Sequence, residues 1–134
     1  MNSGKLVLLL SGLVAGGIAI TIFSAPDAFY ATYGIELAGT TNLTNELKAP
    51  AGVLFGAGLL MLAGVFRARL TSVSLVAATV IYLPYGLSRS LSIAVDGVPS
   101  GGLVGAAIFE IAIGVICLLV LINGRNGHNA HTTN

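Results

Sequence analysis

Four apolar stretches, each long enough to cross the ~30 Å hydrocarbon core of a bilayer, leave this chain little choice of fold. No charge occurs from Leu6 to Phe23, and further runs cover Ala49 to Phe66, about Thr71 to Ile93 and about Gly102 to Ile122. Charged residues make up 8% of the chain, against about 25% in an ordinary soluble domain. A water-soluble surface cannot be built from so few. The expected architecture is all-α: a polytopic membrane four-helix bundle. One transmembrane domain should occupy residues 1–122, with helices near 5–23, 48–66, 71–93 and 102–122. A polar, flexible tail should follow over 123–134.

The first run, preceded by Lys5, is longer than the ~7–15 residues of a signal-peptide core, and Ser24-Ala25 is a mediocre cleavage site. It reads as an uncleaved helix. Ser24 should then cap a short interfacial helix opening at Pro26, with Phe29, Tyr30 and Tyr33 on one face and Gly34 at its end. Such aromatics suit the membrane–water boundary; a sharper reading makes this helix a lid over the bundle mouth. Gly39 to Asn45 reads as polar loop, and Pro50 falls in the first turn of the next helix. Pro84 should kink the third span or free a carbonyl near Val80. Small residues recur at helical spacing at Gly12 and Gly16, at Gly52, Gly56 and Ala63, and at Gly102, Ala106 and Gly114. Such stripes let helix backbones approach closely in lipid.

The charges inside the runs carry the functional signal. Tyr82, Gly86, Arg89, Ile93 and Asp96 share one helical face, and Glu110 sits on the small-residue stripe of the fourth helix. By rise per residue, Glu110 lies ~12 Å and Arg89 ~6 Å inside their helix ends. A carboxylate at that depth costs on the order of 2–3 kcal/mol unless protonated or paired with a cation. Arg89 is the nearest candidate partner, Lys48 the second. A pair that only fixes helix register is the alternative to a functional site. Four of the six basic residues, Lys5, Arg67, Arg69 and Arg125, fall on one side, which by the positive-inside rule places both termini in the cytoplasm. Asp27, Glu36, Glu46 and Asp96 fall on the other side, with Glu110 beneath it.

Several motifs resemble a known family: Phe29-Tyr30 with Tyr33-Gly34-Ile35, Glu46-Leu47-Lys48-Ala49, Arg89-Ser90-Leu91-Ser92 with Asp96-Gly97-Val98-Pro99-Ser100, and Phe109-Glu110. Together they look like a bacterial family of small four-span membrane proteins catalogued only as a domain of unknown function, over about residues 5–122. That family favours an arginine where this chain has Lys48, which keeps the charge and loses the planar fork. A looser likeness to DoxX-type four-helix membrane proteins rests on size and span count.

No nucleophile elbow, nucleotide-binding loop or paired histidines within a span is present. Glu46 and Glu110 are the carboxylates that could act as acid and base, but nothing in the sequence brings them together. His128 and His131 are spaced like metal ligands but stand in the polar tail without others, and no cofactor is called for. The lone Cys117 excludes an intrachain disulfide, and a net charge of +1 gives no reason to expect nucleic acid. The favoured reading is an outward-facing polar site that binds or transports a lipid or small amphipathic ligand in a bacterial cytoplasmic membrane. Its candidate residues are Arg89, Glu110, Lys48, Glu46, Tyr82 and Asp96. The alternative is an accessory subunit of a membrane complex or a homo-oligomer. A proton pathway through Glu110 would need further protonatable groups in the cytoplasmic half.

Overall fold

The computed structural model describes residues 3–130, with side chains through residue 124. Five helices follow in order: α1 (Ser3–Ser24), α2 (Pro26–Ala31), α3 (Thr41–Phe66), α4 (Ala68–Asp96) and α5 (Gly101–Ala130). Four of them, α1, α3, α4 and α5, are long and apolar enough to cross a membrane. No strand occurs among the described residues. The expected all-α bundle with a short helix after the first span is therefore the observed fold. The tail expected over 123–134 begins inside α5, which continues to Ala130; from residue 125 onward, His128 and His131 included, the side chains lie outside the described residues.

Punctuation of the helices follows from local chemistry. Arg67 alone, in an extended conformation, separates α3 from α4, so these helices are antiparallel neighbours. Gly97 ends α4 at φ 105°, a value at which a side chain would be strained. Two expectations need correction at the α2 end. Ser24 does not cap α2; its hydroxyl donates to the Ile20 carbonyl at 2.7 Å, and Ala25 occupies the cap position. The segment expected as loop before α3 is instead helix from Thr41 onward, so Pro50 lies inside α3 rather than in its first turn. Threonine and asparagine are weak helix formers in isolation, which disguised the extension. Buried Leu37 anchors the chain just before it. Proline has no N–H to donate, so the Glu46 carbonyl lacks its helical partner. Glu46 is exposed, where water can take that place.

Packing runs in a chain of neighbours: α1 along α3, α3 along α4, α4 along α5. Lighter contacts from α1 to α5 and α4 close the bundle. The core gathers Leu8, Ala15, Met61, Leu75, Ala78, Tyr82, Ile113 and Cys117. Glycines set the closest approaches. A Cβ on Gly12 would stand 3.0 Å from the Gly58 carbonyl oxygen, so Gly12 does face α3, whereas one on Gly16 would meet nothing within 4 Å. The face of α3 differs from expectation: Gly56 meets nothing within 4 Å, and Gly58 and Gly64 make the contacts. An apolar helix in lipid shows no polar face, so its rotational phase is not written in its hydrophobicity. Between α4 and α5, a Cβ on Gly114 would stand 2.8 Å from the Leu83 nitrogen, and one on Gly86 2.9 Å from the Ile111 nitrogen.

Candidate functional site

The predicted face of α4 climbs from core to surface: Tyr82 and Gly86 are buried, Arg89 and Ile93 half-buried, Asp96 exposed. Gly86 is what brings α5 close, because its missing side chain leaves room for the Ala107–Ile111 backbone. Arg89, one turn further on, is thereby set against α5 and reaches Glu110. Its Nε donates to both carboxylate oxygens of Glu110, at 2.9 Å to Oε2 and 3.2 Å to Oε1. This is an ion pair in which the arginine side chain is 34% exposed and the glutamate 14%. The two Nη groups, with four N–H donors, make no hydrogen bond to any other described residue.

The remaining candidates are distributed more widely. The Tyr82 hydroxyl donates to the Ser11 carbonyl on α1 at 2.7 Å, and its ring meets Phe109 edge-on at 6.1 Å. Tyr82 thus ties α1 to α4 beneath the ion pair. Asp96 stands at the end of α4 and accepts from the Ser92 hydroxyl at 2.9 Å. Lys48 lines a separate open basin of about 640 Å³ with Asp27, Thr41, Thr44 and Asn45. Glu46 is exposed on the first turns of α3. Because α3 and α5 do not pack along one another, neither Lys48 nor Glu46 is brought to Glu110. Arg89 fills the role for which Lys48 was the second choice.

Two tyrosines that the candidate set lacked complete the surroundings. Phe29 meets Tyr30 and Tyr33 edge-on at 5.2 and 5.5 Å. The Tyr33 ring covers Gly102 at the start of α5, where a Cβ would stand 3.0 Å from it. Tyr30 lies close enough to Tyr85 and Arg89 for both to act on its phenol. Burial pushes that phenol above its ordinary pKa, Tyr85 adds to the rise and Arg89 opposes it. Tyr30 is therefore a neutral hydroxyl at physiological pH. So the turn after α2 meets the start of α5 through Tyr33 and Gly102. Tyr85 stands one helical turn before Arg89, a spacing that places both on one face and that could have marked it in the sequence.

The arrangement offers an arginine oriented by a carboxylate, with phenol hydroxyls nearby. It offers no metal site: among the described residues no group of three His, Cys, Asp or Glu side chains could hold an ion. No curated protein and no solved structure gives a significant match to the chain. The sequence profile of a domain of unknown function (DUF4345) matches residues 4–121. Spanning all four apolar helices and every residue of the ion-pair site, that match places the chain in the DUF4345 family.

Proposed function

We propose that this multi-pass membrane protein binds, and in doing so carries or presents, a lipid or small amphipathic molecule at the α2 end of its bundle. One observation carries the reading: Arg89, a third exposed within an apolar span, is anchored by Glu110 through Nε, which leaves its outer N–H groups available. The distribution of basic residues supports cytoplasmic termini, so that the site opens to the outer leaflet of a bacterial cytoplasmic membrane.

The test is native mass spectrometry of protein extracted in mild detergent. Wild type should retain an amphiphile that Arg89→Ala loses. Retention of none by wild type, together with no thermal shift on adding a total lipid extract, would refute the reading. A second reading, an accessory subunit or homo-oligomer, draws on Gly17, Gly56 and Gly105, exposed small residues with nothing within 4 Å. The same spectra decide it: a protein partner or second copy favours it, and a monomer in every detergent counts against it.

A further inference from the structure

We propose that the basin between α2 and the opening turns of α3 is a second binding site, one that takes a small zwitterion: an ammonium against Asp27 and a phosphate or carboxylate against Lys48. It is independent of Arg89, which stands on α4 and does not line it.

Helix packing explains the placement. α1 runs along α3, and α2 follows α1 after Ala25 alone, with the Phe29 N–H donating to the Ala25 carbonyl at 3.0 Å. Asp27 is thereby held beside the start of α3. There Thr41, Thr44, Asn45 and Lys48 recur at three- and four-residue spacing, which puts them on one helical face. That face and Asp27 border a basin of about 640 Å³, within the ~300–1,000 Å³ of small-molecule sites. The helical extension from Thr41, built from residues that form helix weakly, thus gathers side chains that a loop would scatter.

The charges select the ligand class. Lys48 is half-buried and Asp27 exposed, yet neither forms an ion pair with the other or with any other described residue. The side chains of Thr41, Thr44 and Asn45 likewise make no hydrogen bond to a described residue. The three ammonium donors of Lys48 and the acceptor oxygens of Asp27 are therefore unused by the protein. One acid and one base give the basin no net charge, and Glu46, the other acid on these turns, does not line it. A lone anion would gain Lys48 and be repelled by Asp27, and a lone cation the reverse. A zwitterion satisfies both, and the hydroxyls and the amide serve either of its ends.

Such a zwitterion could be the head of a phospholipid or a free molecule, and separate arms distinguish them. Full-length protein in dodecyl maltoside micelles is titrated with phosphatidylethanolamine, phosphatidylglycerol, free phosphoethanolamine or inorganic phosphate. Binding is read by calorimetry and by the shift in thermal midpoint. Phosphatidylethanolamine should bind about tenfold more tightly than phosphatidylglycerol. Asp27→Asn should lose that preference, and Lys48→Gln should weaken both lipids about tenfold. Asp27→Glu and Lys48→Arg keep the charges and should stay within about threefold of wild type, with Glu36→Gln, outside the basin, unchanged. Free phosphoethanolamine binding that needs both Asp27 and Lys48, without a phosphatidylethanolamine response, would assign the site to a free zwitterion and uphold the chemistry. Equal binding of the two lipids, inorganic phosphate binding as tightly as phosphoethanolamine, wild-type affinity in Asp27→Asn or Lys48→Gln, or no binding in any arm would overturn it. So would a lipid response lost in Arg89→Ala and kept in Lys48→Gln, which would place the lipid at Arg89 instead. Normal melting of the variants without ligand separates lost recognition from lost folding.

Discussion

The two halves of the ion pair should not be equally expensive to remove. Arg89→Ala strands Glu110, whose side chain is 14% exposed and which lies ~13 Å along α5 from its first residue. No other described cation touches it. Breaking a fully buried pair from one side costs ~3–5 kcal/mol, and exposed pairs contribute ~0–1 kcal/mol. With one partner buried and the other a third exposed, Arg89→Ala should cost ~2–3 kcal/mol. Glu110→Gln leaves a long cation that can rise to the head groups, so it should cost only ~0.5–1 kcal/mol. The difference, ~1–2.5 kcal/mol, amounts to roughly a five- to seventyfold change in the folding equilibrium. The double variant should be more stable than Arg89→Ala alone, because it leaves no stranded charge. Reversible unfolding in mixed micelles with sodium dodecyl sulfate, followed by circular dichroism at neutral pH, measures all four corners of the cycle. A Glu110→Gln penalty equal to or larger than that of Arg89→Ala would refute the reasoning, since the buried partner would then not be the one that suffers.

Other outcomes follow from the same geometry. Gly114→Ala should destabilise by ~1–3 kcal/mol, because the new Cβ meets the Leu83 backbone at 2.8 Å and backbone cannot give way. Gly56→Ala, with nothing within 4 Å, should be neutral or slightly stabilising in the same melts. Tyr82→Phe removes the hydroxyl bond to the Ser11 carbonyl and should cost ~1 kcal/mol, leaving the ion pair intact. On alkaline titration followed by phenolate absorbance, Tyr30 should ionise above the ordinary 10.0, and higher still in Arg89→Ala, since Arg89 opposes the rise. Its folded pKa is raised, so whatever it adds to stability is complete below the unfolded value and fades as pH rises through the folded one. Coincident phenolate titrations in wild type and Arg89→Ala would show that Tyr30 and Arg89 are not neighbours.

The pairing of Arg89 with Glu110 was legible in the sequence for a specific reason. They are the two charges deep in apolar runs, and a low-dielectric setting gives such groups few stable alternatives to one another. Gly86 and Gly114 reinforced it by marking the faces that meet. The fate of Lys48 and Glu46 was not legible, because residues near a helix end can face any direction in the polar zone at little cost. Their separation from Glu110 depends on which helices are neighbours, and chain order does not state that. The phase of α3 was hidden likewise: Gly52, Gly56, Gly58 and Gly64 offer two overlapping stripes, and only packing against α1 and α4 selects Gly58 and Gly64. The tie from Tyr82 to α1 ends on a backbone carbonyl, a partner that no side-chain pattern announces.

The α3–α4 turn has a consequence for how the protein assembles. Thr71 donates to the Gly64 carbonyl at 2.9 Å and Ser74 to the Leu60 carbonyl at 2.7 Å, and Ser74 occupies the space that a side chain on Gly64 would fill. These bonds close across a single-residue break, so little chain entropy is lost in making them. They need neither α1 nor α5. The hairpin can therefore lock while the last span is still being synthesised, and α5 then docks on a finished surface. In that order of events the bond between Arg89 and Glu110 closes only when α5 docks.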